Sequence, residues 1–304
     1  MTAVPRISVG LPVFNGERYL VETLASLLGQ TLADFELLIS DNASTDATEE
    51  ICREHAKRDP RIVYERLDRN TGAAANYNHV ARRARAPYFK WNAADDLCAP
   101  DVFEKCYRAL EDDADAVLAY PASKIIDGEG IVLQHYPDPL DVTAADPYTR
   151  LMALFKTIGE CNAVFGLTRT AVLENTPLIG KYLASDMVLL GELSLYGRFI
   201  RCEDTTFFRR DHPEASSSDK SQENMRKFYE PGSQARLPYM RQWRVHGEFL
   251  RAIRRSPLAR RDKARLYRAI MRNAVACRRA LAGEVWAALR SLGRGRPKEH
   301  APQG

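Results

Sequence analysis

The chain has 304 residues, 45% of them hydrophobic and 28% charged, with 44 Lys and Arg against 40 Asp and Glu, a net charge of +4. That composition excludes a disulfide mini-protein and a chain disordered along most of its length, and the length suits one large domain with an appendage or two domains. No apolar run approaches the roughly 20 residues that span a bilayer, so any membrane contact is expected to be peripheral. Residues 7–13 (ISVGLPV) form an apolar run, and residues 16–28 then place Tyr19, Leu20, Thr23, Leu24, Leu27 and Leu28 at helical spacing. This strand, loop, helix unit recurs: 35–40 (FELLIS) with a helix over 46–58 that Ser44 or Thr45 can cap, then 62–66 (IVYER) with a helix over 73–85, then a strand at 88–91 (YFKW). Strands alternating with helices predict an α/β fold, a Rossmann-like and mostly parallel sheet flanked by helices, with ligands beyond the carboxyl ends of the strands.

Further along, 116–120 predicts a strand, and 124–126 with 131–133 predict a hairpin around Asp127-Gly128-Glu129-Gly130. Residues 137–148 read as loop, 151–158 as helix, 162–168 (NAVFGLT) as strand, 186–196 as a helix stopped by Gly197, and 200–208 as strand. A Ser-rich stretch at 216–221 marks a boundary. The expected organisation is a domain over 1–215 and a basic, mainly helical region over 216–304 with a flexible extreme end.

The six cysteines are far apart, with no C-x-x-C pair, and the N-terminal residues show no basic segment followed by a long apolar one. Free thiols in a reduced, cytoplasmic setting are expected. Charge is distributed unevenly. Residues 241–298 carry 17 Lys and Arg against Glu248, Asp262 and Glu284, a net +14, which together with the lone Glu299 beyond them leaves −9 for residues 1–240.

Three post-strand loops hold small and polar residues and are expected to converge on one crevice: 12–16, 41–46 and 92–96. Asp95 and Asp96, flanked by alanines at a strand end, suit a hard divalent cation, although Asp pairs are also common in surface turns. Asp41 can accept from a nucleobase N–H, while plain helix capping accounts equally for Ser44, Thr45 and Asp46. Asn70, Thr71 and Gly72, with Asn76 and Asn78, combine turn-forming residues with side chains able to bind a ligand.

Taken together, Val9-Gly10-Leu11-Pro12-Val13-Phe14-Asn15-Gly16, then 41–46, then Asn70-x-Gly72 with Asn76-x-Asn78, then Ala94-Asp95-Asp96, resemble the family 2 glycosyltransferases with the GT-A fold. The four motifs occur in order over the first hundred residues, and the resemblance extends more loosely to about His212. It implies inverting transfer of a sugar from a nucleoside diphosphate donor, UDP or dTDP, to a saccharide or lipid-linked acceptor in glycan biosynthesis, with Mn2+ or Mg2+ as cofactor. Carried residue by residue, it implies a nucleotide-sugar site of Pro12, Val13, Phe14, Asn15, Asp41, Asn70, Gly72, Asn76 and Asp95. It also implies a metal held by Asp96 and His212 and a catalytic base at Asp186, while Arg209 and Arg210 are near enough in sequence to serve a diphosphate. The common motif has a further acid where this chain has Ala93, so ligation is expected to rest on Asp96 with diphosphate and water. The acceptor-side pattern of processive members is absent, which favours single addition.

The basic region places Arg on nearly every helical turn between Leu250, Ile253, Leu266, Ile270, Val285, Trp286 and Leu289. It either lies on the inner face of an anionic membrane or packs on the acidic body. No zinc module or RNA-binding motif accompanies the charge, so nucleic acid is not an expected partner. Two other readings remain. A nucleotidyltransferase lacks its Gly-rich basic entry loop here, and a non-catalytic nucleotide-sugar-binding scaffold would differ in having no use for Asp186.

Overall fold

The structure is a computed structural model that describes residues 4–213, 215, 228 and 240–293. Strands β1 (Ile7–Val13), β2 (Phe35–Asp41), β3 (Ile62–Arg66) and β4 (Tyr88–Trp91) lie parallel in the order β3-β2-β1-β4. They are joined by α1 (Glu17–Leu28), α2 (Thr48–Arg58) and α3 (Ala73–Arg82). β1 and β2 are buried at every position, which is why they read as unbroken apolar runs. Alternation survives in the direction of the side chains. Val9, Leu11, Leu37 and Ile39 pack with Leu20, Leu24 and Phe103, whereas Leu38, Phe89 and Trp91 pack with Val80, Leu189 and Leu193. Gly10 is where α3 meets the sheet most tightly: a Cβ there would lie 2.6 Å from Val80 and 2.8 Å from the Phe89 ring.

The second half adds β5 (Leu97–Cys98), α4 (Val102–Asp112), β6 (Ala116–Ile126), β7 (Val132–Tyr136), α5 (Pro147–Thr157), β8 (Leu167–Arg169), α6 (Thr170–Leu173), α7 (Ser185–Tyr196) and β9 (Arg198–Arg210). The sheet order is β3-β2-β1-β4-β8-β6-β9-β5, with β7 pairing β6. β6 and β9 are parallel, while β8 is antiparallel to both β4 and β6. The α/β expectation therefore holds.

Details differ from the sequence reading for physical reasons. Residues 116–120 and 124–126 form one eleven-residue strand, because β9 pairs along its whole length. The strand expected over 162–168 is instead a 3-10 turn, Asn162–Phe165, followed by the three-residue β8. Its Phe165 carbonyl accepts from the buried Lys90 Nζ at 2.8 Å, and Cys161 enters it with a left-handed φ of 57°. Helix α4, which the sequence reading passes over, buries Val102, Phe103, Cys106 and Leu110, a helical spacing plain in the sequence.

Helices α8 (Arg241–Arg255), α9 (Arg260–Ala276) and α10 (Arg278–Gly293) make up the described C-terminal region. Val245, Phe249, Ala252, Ile253, Leu266 and Ile270 pack with Leu151, Tyr182, Val188 and Leu195 of the α5–α7 side. Two ion pairs reinforce that seam. Arg255 makes a two-pronged contact with the buried Glu192 at 2.9 and 2.8 Å, and Arg265 reaches Asp146 at 3.1 Å. The expected boundary at 216–221 and the expected flexible end lie outside the described residues.

Candidate active site

The carboxyl ends of β1, β2 and β3 are tied together by their own polar side chains. Asn15, at a left-handed φ of 51°, accepts from Thr45 N–H at 2.8 Å and donates its own N–H to Ser44 Oγ at 2.9 Å. Gly16 N–H donates to Thr48 Oγ1, and Glu17 and Asp46 exchange contacts with each other's loops. Asn42 accepts from Thr71 N–H and donates to Asn70, whose oxygen also accepts from Gly72 N–H at 2.9 Å. Gly72 itself has a φ of 85°, which explains why glycine stands there. Phe14 is half exposed, whereas Pro12 and Val13 are buried.

Asp41 is enclosed and engaged. One oxygen accepts from Ser44 N–H at 2.8 Å, and the other from Tyr64 Oη at 2.9 Å and Arg66 at 2.8 Å. Asn76 is 3% exposed and is likewise occupied by Ser40 and the Val13 carbonyl. Asn78 forms a reciprocal pair with the backbone of Ile179, so α3 also holds the segment before α7.

At the end of β4 the backbone turns through Asn92 to Asp95 and Asp96. Asp96 is buried, and its Oδ1 accepts from Arg210 N–H at 2.8 Å. Burial first, and then the adjacent Asp95 carboxylate, push Asp96 well above the usual carboxylate range, opposed by Arg210 N–H, Arg209 and Lys90. Asp95 Oδ2 stands 3.0 Å from His212 Nε2. The His212 ring lies 4.8 Å from that of Tyr19, and its Nδ1 is buried with no hydrogen-bond partner among the described residues.

Nδ1 is the His212 donor left for a divalent cation, which would satisfy its lone pair, while the ring's other nitrogen, Nε2, faces Asp95. Among the described residues no three His, Cys, Asp or Glu side chains converge on one point, so donor oxygens and water would have to complete the coordination.

Arg210 and Lys90 build the floor beneath these carboxylates. Arg210 donates to the carbonyls of Asp95 and Gly128 and pairs with Glu22 at 2.7 Å over the Tyr19 ring, so it is committed within the fold and not available to a diphosphate. Lys90 Nζ donates to the Trp91 carbonyl, Asn92 Oδ1 and the Phe165 carbonyl. The signal for Lys90 is a lone cation inside the strand YFKW.

A cavity of about 470 Å³ opens beside the pair. Asp95, Asp96 and Asp186 all line it, with Tyr77, Glu160, Cys161 and Arg209. Asp186 occupies the first turn of α7, after Ala184 at a left-handed φ of 70°. Its carboxylate accepts from Met187 N–H at 2.8 Å. Arg209 reaches Glu160 at 2.8 Å. Pro12, Val13, Phe14, Asn15, Asp41, Asn70, Gly72 and Asn76 do not line this cavity and belong to the loops at the ends of β1, β2 and β3, and His212 does not line it either.

Comparison with known proteins gives one consistent result. The model of the family described as Glycosyl transferase family 2 matches residues 8–174. An uncharacterized glycosyltransferase of Methanocaldococcus jannaschii is 32% identical over 134 residues, 43% of this chain and 46% of that one. Chondroitin synthase of Escherichia coli is 32% identical over 132 residues, 43% of this chain and 19% of that one. The matched part thus spans less than half the length of these relatives. S. aureus TarS 1-349, solved with UDP, superposes with a TM-score of 0.63 at 16% identity over 89% of this chain and 72% of that chain. A mannosyltransferase of Pyrobaculum calidifontis, solved with GDP-Man and Mn2+, gives 0.54 at 17% identity over 97% and 77%. At those identities the structures speak for the fold.

Proposed function

The chain belongs to glycosyl transferase family 2, and on that premise we propose that it transfers a sugar, with inversion, from a UDP or dTDP donor to a saccharide or lipid-linked acceptor in glycan biosynthesis. The observation that carries this reading is the meeting of Asp95, Asp96 and Asp186 in one cavity, although they come from two separate parts of the chain. Inverting transfer needs one base for the acceptor hydroxyl and charge stabilisation for the departing diphosphate, with no covalent nucleophile.

In this reading Asp186 takes the acceptor proton. It stands in the first turn of α7, where it lines the same cavity as Asp95 and Asp96. The loops of Pro12, Val13, Phe14 and Asn15, backed by Asp41, Asn70, Gly72 and Asn76, hold the base and ribose end of the donor, and Phe14 is the half-exposed side chain there. Asp95 orients the donor sugar or ribose. Asp96 and His212 would hold Mn2+ or Mg2+, which when bound supplies positive charge to the diphosphate oxygens.

The test is calorimetric titration of UDP, dTDP, GDP and ADP with and without manganese, followed by Asp186→Asn. Tight, metal-dependent binding of one diphosphate, together with an Asp186→Asn variant that keeps donor affinity within twofold and loses about 10²–10⁴ of its turnover, supports the assignment. Unchanged turnover in that variant removes Asp186 as the base. Absence of binding by all four nucleotides removes the donor site, whereas nucleotide binding without turnover favours the scaffold reading.

Among the described residues no helix is long and apolar enough to cross a membrane. The C-terminal helices are proposed as the contact with an anionic membrane surface. Val285, Trp286 and Leu289 are exposed on one stripe of α10, with Arg278, Arg279 and Arg290 exposed on the same helix.

A further inference from the structure

The corner between α5 and the 3-10 turn carries an acid that none of the steps above uses. Glu160 donates its backbone N–H to Tyr136 Oη on β7 at 2.9 Å. The preceding Gly159 sits so close to that hydroxyl that a Cβ would lie 1.9 Å from it, and the following Cys161 holds a left-handed φ of 57°. A tyrosine contact thus clamps the chain on one side of Glu160 and a strained residue bends it on the other. The corner directs the Glu160 carboxylate to Arg209 Nη1, 2.8 Å away.

The charges around the cavity give this pair a purpose. Four carboxylates line it, Asp95, Asp96, Glu160 and Asp186. A diphosphate entering such a place needs a cation, and Arg210 is committed to carbonyls and Glu22. Arg209, the neighbouring residue on β9, lines the cavity, as does Arg241, and Arg209 is already paired with a cavity carboxylate. Its side chain is 21% exposed and that of Glu160 46%, so water reaches the pair and exchange of one anion for another is inexpensive. A guanidinium fork matches phosphate oxygens as well as it matches a carboxylate.

We propose that Glu160 is an internal stand-in for the donor's diphosphate: it holds Arg209 in place before the donor arrives and yields it when the diphosphate enters. This rests on the donor reading above. Glu160 is a positioning residue in this scheme, and its cost is a weaker apparent affinity for the donor, since its own contact has to be broken first.

The experiment is a double-mutant cycle in the full chain, read by calorimetry with whichever of UDP, dTDP, GDP and ADP the wild type binds, and with the matching uncharged nucleoside as control. Glu160→Gln should tighten the diphosphate about three- to fivefold, the scale of a half-exposed ion pair, and leave the nucleoside unchanged. Arg209→Gln should weaken the diphosphate about tenfold or more, as loss of a charged hydrogen bond does. In the Arg209→Gln background, Glu160→Gln should change affinity less than twofold, and Glu160→Asp in the wild type should keep most of the native behaviour.

No tightening in Glu160→Gln overturns the proposal, and so does equal tightening in both backgrounds, which would reduce Glu160 to one negative charge among several. If the wild type binds none of the four diphosphates, the donor reading fails first and this inference with it.

Discussion

Asn76 allows ligand contact and scaffold to be separated by measurement. Its Oδ1 accepts from Ser40 Oγ at 2.6 Å, and its Nδ2 donates to the Ser40 carbonyl at 3.0 Å and the Val13 carbonyl at 3.3 Å. One carboxamide on α3 therefore fastens the ends of β1 and β2. In Asn76→Ala the Val13 carbonyl is not orphaned, because it still accepts from Asn42 N–H. The Ser40 hydroxyl, 1% exposed, loses its acceptor. The orphaned buried hydroxyl costs about 1–3 kcal/mol and the two bonds donated by Nδ2 about 1 kcal/mol net each, so we expect a loss of about 3–5 kcal/mol.

Equilibrium urea unfolding measures that loss, and donor titration of the same variant measures binding. Donor affinity should stay within about threefold, since the side chain is 3% exposed and the expected effect is indirect, below one hydrogen bond in size. Ser40→Ala combined with Asn76→Ala should cost less than the two single changes together, because removing both partners leaves no orphan. A variant as stable as the wild type with donor affinity reduced tenfold would refute the scaffold role and make Asn76 a ligand contact.

Other expectations follow from the same contacts. His212→Ala should abolish the increment that manganese adds to donor affinity while leaving metal-free binding unchanged; a full manganese response in the variant removes His212 from the metal site. Arg255→Ala should cost about 2–3 kcal/mol in urea unfolding, because it strands the buried Glu192, discounted from the fully buried case since Arg255 is 30% exposed. Burial raises the folded-state pKa of Glu192 above 4.5, so the folded state holds that proton more tightly than the unfolded one. The deficit of Arg255→Ala should therefore be largest at neutral pH and shrink as the pH falls through the folded value toward 4.5; a deficit independent of pH would exclude Glu192 as its cause. On the acid side, the hydrogen bond from Arg198 holds Asp113 below its ordinary 3.8. Its stabilisation is present above that value and lost below it, so Asp113→Asn should flatten the acid limb of the stability curve, and an unchanged limb would count against the pair. Trp286→Asp with Leu289→Asp should lower co-sedimentation with vesicles of anionic lipid about tenfold, from the apolar area lost; equal binding would leave α10 no part in it.

Much of the fold was legible because β1, β2 and β4 are buried at every position, while the edge strand β3 shows only the short apolar start of IVYER. β1, β2, β3 and β4 lie where their short, mainly apolar segments place them, and the crossovers follow from the helical spacing between them. What stayed hidden was decided by single buried cations. The strand expected over 162–168 yields to a 3-10 turn whose Phe165 carbonyl serves Lys90, and nothing near residue 165 announces a lysine 75 positions earlier. Arg210 was equally opaque. It and its sequence neighbour Arg209 both line the cavity, but Arg209 pairs with Glu160 whereas Arg210 is a strut under Asp95, and alternation along β9 separates the two only once the sheet is known.

The same difficulty governs the polar motifs. Asn15, Asp41, Asn70 and Asn76 stand together in sequence order because loops that must approach a ligand also need side chains to hold their backbones without help from the sheet ladder. Asp41 shows the consequence: three donors enclose its carboxylate, so any influence on a nucleobase passes through Tyr64 and Arg66, which a motif centred on residues 41–46 does not contain. Asp186 is the opposite case. It is weak as a motif, yet the structure puts it in the cavity with Asp95 and Asp96, because Asn78 on α3 holds the backbone of Ile179 just ahead of α7. Loss of that grip should therefore move the proposed base without touching the loops proposed to hold the donor. Asn78→Ala is expected to lower turnover about tenfold or more, as misplacement of a catalytic group does, while diphosphate affinity stays within twofold; a parallel loss of both would mean that α3 supports the donor loops and the base as a single unit.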